Sequence, residues 1–242
     1  MANGLSGAEP QQLSLPVRLN DQATFDNFCC VESHLHQQII ELLKGGNVPL
    51  SERSVLLWGK PGSGVSHLLQ AACQHARSRE RQAQYLPLRD LLEFPPQPLF
   101  DNLEQLDLIC LDDIQSLAGD TQWQQAVFDL YNRVRDSGGQ LLMGAENPPN
   151  HLGLTLADLE SRLGWGPVFQ LPELDDDQKA IVIQFRAARR GMEFADEPVR
   201  YLITHSGRGM SELMSKLDTL EQLAIHEKRK LTIPFLKKTF GW

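Results

Sequence analysis

Between the apolar run "SVLLW" (54–58) and an apolar helical stripe over Ser66 to Arg77 lies "GKPGSGVS", residues 59–66. Gly59 and Gly64 have the spacing of the phosphate-binding pattern G-x-x-x-x-G-K-[ST], and Ser66 fills its hydroxyl position. Such a loop works only where a strand delivers the chain to the start of a helix, so that backbone N–H groups converge on an anion. A short continuous apolar run suits a strand covered on both faces, as in a parallel sheet. The bland alternative is a plain glycine turn, and the flanking strand and helix argue against it.

Val65 stands where the pattern has lysine. The loop segment Pro61, Gly62, Ser63, Gly64, Val65, Ser66 and His67 is expected to hold phosphate through its amides, and neither that nor a Ser66 hydroxyl on Mg²⁺ needs a lysine. The lysine's charge normally spans the β- and γ-phosphates and stabilises the transferred charge. Without it, the loop should favour a diphosphate, or bind a triphosphate and hydrolyse it slowly. Lys60 is nearby but sits early in the loop.

The rest of the chain fits a sheet around this loop. Further strands are predicted at 84–88, 106–113, 140–145 and 167–171, with helices after the loop, over 121–136, and over 155–163 behind a Thr155 cap. Strands alternating with helices predict an α/β core with a parallel five-stranded sheet. Beyond Pro172 the pattern turns helical: "DDDQKAIVIQFRAARRG" runs from acids to bases, and Thr232 is expected to cap a last helix. The expected division is a tail over 1–19, an α/β core over 20–172 and a small helical lid over 173–242.

With 41% hydrophobic residues in 242, the chain can bury a sizeable core. Its net charge of −8 gives no broad footprint for nucleic acid, so DNA is expected only indirectly. No run of 18 apolar residues and no signal segment occurs, which predicts a soluble cytoplasmic protein with no membrane partner. Cys73 and Cys110 read as core residues, and the adjacent Cys29 and Cys30 as reduced thiols.

Asp112 and Asp113 end the third strand. Two acids there can hold a metal's water shell and orient an attacking water; alternatively they only cap a strand end. Asp112 and Ser66 are thus the candidate Mg²⁺ ligands. Glu146 follows the fourth strand, where it is either a polar sensor of the terminal phosphate or an exposed loop acid before Pro148. Arg162, in "DLESRLGWG", is a solvated arginine, a partner for Glu160 or Asp158, or a catalytic arginine finger offered to a neighbouring molecule's nucleotide.

Phosphate loop, paired acids, sensor, "SRL" arginine and helical lid together resemble an AAA+ ATPase domain, and more narrowly the AAA+ module of the replication initiator DnaA. "TFDNF" (24–28) resembles the segment that leads into that module, which implies that Phe28 and Cys29 line the base pocket; "FDLYNRV" (128–134) is similar to the helix after its acid-bearing strand. "QLSLP" (12–16) resembles the pentapeptide that docks on the bacterial sliding clamp, the β subunit of DNA polymerase III. The resemblance implies that Gln12, Leu13, Ser14, Leu15, Pro16 and Val17 bind a DNA-loaded clamp. It further implies that the chain regulates initiation: Arg162 acts in trans on ATP held by DnaA, preventing re-initiation, while the chain's own loop keeps ADP or another nucleoside diphosphate and has no robust ATPase activity.

Three points depart from the initiator's pattern or stay open. Ser211 stands where a lid arginine is expected, with Arg208 nearby, and Val65 and Ser211 together remove positive charge from the cleft. The initiator's helix-turn-helix domain is not expected before the final Trp242. Homo-oligomerisation is left open, and the alternative reading is a self-sufficient ATPase resembling a helicase loader.

Overall fold

The computed structural model describes residues 19–45, 53–207, 209–227 and 229–242. The expected clamp peptide, residues 12–17, lies outside them, as do Gly46 and Arg208.

Helix α1 (Ser33–Leu43) precedes strand β1 (Ser54–Trp58), the loop and helix α2 (Val65–Ser78). Strand β2 (Ala83–Pro87) runs into two short helices, α3 (Leu88–Leu91) and α4 (Pro96–Phe100). Then come β3 (Leu108–Asp112), α5 (Thr121–Ser137), β4 (Gln140–Ala145), α6 (Ala157–Leu163) and β5 (Val168–Gln170). The five strands form one parallel sheet in the order β2-β3-β4-β1-β5.

Successive side chains point to opposite faces, and burial on both faces explains why β1, β3 and β4 read as nearly continuous apolar runs. Val55 and Leu57 face a core that α1 and α2 cover with Ile39, Leu43, Leu68 and Leu69. Leu56 faces the opposite core, filled by Trp123, Val127 and Leu130 of α5 and Leu159 and Leu163 of α6. Cys73 and Cys110 are fully buried, as expected.

Four helices follow: α7 (Asp176–Arg189), α8 (Asp196–His205), α9 (Met210–Glu227) and α10 (Ile233–Phe240). They bury their own apolar cluster around Ile183, Leu202, Leu213, Leu217 and Leu236. Asp175 caps α7 in a capping box with Gln178, which explains the acid-rich start of that helix. No helix among the described residues is long and apolar enough to cross a membrane.

Two expected caps are corrected. Thr155 does not cap α6, whose N-cap residue is Leu156. Instead the Thr155 hydroxyl donates to Oε1 of the buried Gln124 at 3.2 Å, and the same oxygen accepts from the amides of Thr155 and Leu156, both at 2.9 Å. Thr232 does sit at the N-cap of α10, but its side chain makes no capping bond. The segment 88–105, for which the sequence offers no clear period, contributes α3 and α4 on the α5 side of the sheet.

Candidate functional site

The glycine loop leaves the C-terminal end of β1 and enters α2, as the sequence predicts. Gly62 and Gly64 take positive φ values of 90° and 102°, a region that side chains rarely adopt. A Cβ on Gly64 would lie 2.7 Å from the Phe28 ring, and one on Gly62 would lie 2.7 Å from Met210 of α9. The N-terminal segment and the helical layer thus clamp the loop from two sides. Gly64 is the N-cap of α2 and brings no side chain to the free amides of the first turn. Ser63 is 9% exposed, and its Oγ has no partner among the described residues. Free amides at a helix N-terminus, an orphaned buried hydroxyl and two positive-φ glycines fit a bound phosphate group.

These residues open onto a cleft of about 520 Å³. All the sequence-predicted nucleotide residues line it: Phe28, Cys29, Pro61, Gly62, Ser63, Gly64, Val65, Ser66 and His67. So do Asp112, Asp113, Glu146 and Ser211. Phe28, Val31, Leu174 and Val182 bring apolar groups to the cleft, which suit a base. His67 donates through Nε2 to the Thr24 carbonyl at 2.9 Å, which ties α2 to the N-terminal segment, and burial holds its imidazole pKa down. Val65 is 8% exposed and packs in the α2-side core near Gly144.

The paired acids divide their tasks. Asp112 is 3% exposed; one oxygen accepts from the Tyr85 hydroxyl at 2.7 Å and the other from the Asp113 amide at 3.0 Å. Burial, then the Asp112 charge, pushes the Tyr85 hydroxyl far up, so it stays a proton donor. Asp113 sits in the left-handed region at φ 61° and turns its carboxylate toward Arg89. The Arg89 guanidinium bridges Asp113 at 3.0 Å and Glu146 at 2.9 Å. Gln115 joins the same two residues, donating to Asp113 at 2.8 Å and accepting from the Glu146 amide at 3.1 Å.

The expectation of a cleft poor in cations needs correcting. Lys60, Arg89, Arg186 and Arg190 all line it. Each is held by the protein: Lys60 by Asn147 at 3.2 Å, and Arg190 by Asp218 at 2.6 Å and Glu221 at 2.9 Å. Arg186 donates to the Asn27 carbonyl at 3.1 Å and the Gln22 side chain at 2.8 Å, joining α7 to the N-terminal segment. Three of these four cations come from segments outside the loop, and among the described residues only Arg89 and Arg190 of the four are held by carboxylates. Arg89 and Tyr85 were missed from sequence. Their signal was position: Tyr85 lies within β2 and Arg89 two residues past its end, and ligands of open α/β sheets bind beyond the carboxyl ends of strands. No group of three or more metal-binding side chains occurs among the described residues, so a Mg²⁺ ion would depend on Ser66, Asp112 and the phosphates themselves.

Arg162 is elsewhere. It does not line the cleft; it lies near the C-terminal end of α6, whose Leu159 and Leu163 face the core. Its guanidinium carbon is 3.6 Å from the centre of the Trp165 ring and 5.8 Å from that of Phe128. Among the described residues it forms no ion pair, so the expected alternative of a partner in Asp158 or Glu160 is not realised.

Known proteins agree with this architecture. Residues 96–170 match the family described as the bacterial DnaA ATPase domain, and residues 176–240 match that described as the Hda lid domain. An uncharacterized protein of Haemophilus influenzae is 40% identical over 229 residues, covering 94% of this chain and 97% of that protein. Domain III of the Thermotoga maritima replication initiation protein DnaA superposes with a TM-score of 0.76 at 20% identity, over 93% of this chain and 98% of that one. DnaA from Aquifex aeolicus bound to AMPPCP gives 0.71 at 23%, over 87% and 70%. The Thermotoga maritima Holliday-junction branch-migration motor RuvB gives 0.65 at 16%, over 90% and 71%. At these identities the solved structures establish the fold, while the two segment matches and the Haemophilus relative establish kinship. The chain belongs to one family with the Haemophilus influenzae protein, and it is a DnaA/Hda-like AAA+ protein.

Proposed function

We propose that the chain regulates replication initiation by stimulating hydrolysis of ATP bound to DnaA, with Arg162 entering the partner's site as an arginine finger. The observation that carries this is the setting of Arg162: outside the chain's own cleft, on an aromatic surface, with no acid paired to it among the described residues. In this reading the core spans 20–172 and the lid 173–242, and the cleft between them keeps ADP or another nucleoside diphosphate. The loop amides and Ser66 would hold the phosphates, and Phe28 and Cys29 would flank the base. Where Mg²⁺ joins, Ser66 and Asp112 would share it. Residues 12–17 would tether the chain to a sliding clamp on DNA, bringing Arg162 to initiators at newly replicated DNA.

Two features support weak turnover in the chain itself. Val65 contributes no charge, and Asp113, the acid that would orient water, is tied to Arg89. The second reading, a self-sufficient ATPase, draws on Asp112 and Asp113 standing together at the cleft. ATP turnover by the pure protein separates the two. We expect almost none alone and rapid hydrolysis when DnaA, clamp and DNA are added; robust turnover without partners would overturn the proposal. Deleting residues 12–16 should abolish clamp binding, measured by surface plasmon resonance, while leaving ADP affinity unchanged. Retained clamp affinity would remove the tether from the scheme.

A further inference from the structure

We propose that Trp165 is a positioning residue for Arg162: its indole holds the guanidinium flat and aims the outer N–H donors at the partner's nucleotide. This rests on the arginine-finger reading above.

A flexible arginine at a surface normally samples many rotamers, and fixing one during an encounter costs entropy. At 3.6 Å from the ring centre, the Arg162 guanidinium is in close contact with the Trp165 indole, in a cation–π arrangement. Phe128 and the Trp165-facing Arg135, 5.8 and 5.7 Å from their respective partners, complete the cluster.

The kind of contact matters. A carboxylate would consume the in-plane N–H donors that a phosphate needs. An aromatic face attracts the cation through its quadrupole and leaves those donors unspent. Within the described residues Arg162 makes no side-chain hydrogen bond, and its Nε is buried without an acceptor. A buried donor without a partner is costly in a lone chain and becomes intelligible if binding supplies the acceptor or lets the side chain advance.

Trp165 is built to be a platform. It is 55% exposed, so core packing does not account for its size at this position. The turn beneath it is fixed: the Trp165 amide donates to the Arg162 carbonyl at 3.1 Å, and Gly166 is pressed so closely on the Ser54 backbone that no side chain fits. The platform is therefore anchored to the start of β1, while its ring stays at the surface.

The test compares Trp165→Ala, Trp165→Phe and Arg162→Ala in DnaA-bound ATP hydrolysis with clamp and DNA, at varied concentrations of this protein. Because Trp165 is exposed, ADP affinity and thermal unfolding should stay at parental values, and they check that the variants fold. We expect Trp165→Ala to lower the maximal rate about three- to ten-fold with little change in half-saturation, and Trp165→Phe to restore most of it. Loss confined to half-saturation would make Trp165 a docking contact and overturn positioning. An unchanged Trp165→Ala beside an inactive Arg162→Ala would overturn this inference alone. An active Arg162→Ala would overturn the finger reading itself.

Discussion

Arginines serve opposite purposes in two regions of this molecule. In the cleft, Arg89, Arg186 and Arg190 are held by carboxylates, carbonyls and the Gln22 amide, and they tie distant segments together. On the α6 flank, Arg162 rests on indole and pairs with no acid among the described residues. An ion pair offsets the charge and fixes it within the chain, whereas a cation–π stack keeps the charge available to a visitor. A guanidinium committed to an internal partner is part of the scaffold; one resting on an aromatic face is part of a surface.

The contrast can be broken most decisively at Arg162. Arg162→Ala should reduce stimulation of DnaA-bound ATP hydrolysis by ~10³–10⁵, with folding and ADP binding intact. Phosphate release in the complete clamp system measures this, and preserved stimulation would erase the distinction between the regions.

Next in size is Gly64→Ala. A side chain at φ 102° is strained by ~1–3 kcal/mol, and this Cβ also meets the Phe28 ring. Calorimetric titration should show ADP affinity down by about ten-fold or more, alongside a fall of several degrees in the unfolding midpoint. Unchanged affinity would mean that the loop is scaffold only.

Arg89→Ala sharpens the cleft side with a smaller effect, because the pair is partly exposed and screened. Burial, then Asp112, raises the Asp113 carboxyl pKa, and Arg89 pulls it back. A carboxyl raised on folding contributes stability that is full below its unfolded pKa of about 3.9 and is lost as pH rises through the folded value. Removing Arg89 raises that folded value further and deepens the loss. The variant should therefore match the parent near pH 4 and fall behind on the way to pH 7 in denaturant unfolding. A deficit independent of pH would show that Arg89 acts by packing rather than charge.

Much of the architecture was readable because its signals are local. Apolar runs of about five residues, glycines at helix ends and acids before α7 each act over a few positions, so strands and helices were placed to within a residue or two. The stretch 87–100, "PLRDLLEFPPQPLF", was not: it carries no period, and its helices are short pieces on the α5 side of the sheet. At Thr155 a motif was present but lost to a long-range competitor, Gln124. The strand–glycine loop–helix unit was legible, since its three parts are consecutive in the chain. Arg89 was not, because its partners Asp113 and Glu146 lie 24 and 57 residues away.

The sequence alone determined an α/β sheet with a glycine loop between a strand and a helix, a helical layer after it, and a valine in that loop's lysine position. These follow from chain-neighbour sterics and from the side-chain periods of strand and helix. Only the tertiary structure decided which of the described cations are bound internally and which are not. Arg162 and Trp165 are three residues apart in the sequence, yet their pairing at the surface depends on Leu159 and Leu163 turning inward beneath them. Charge pairing is a property of packed neighbours, and packing is settled by the whole chain.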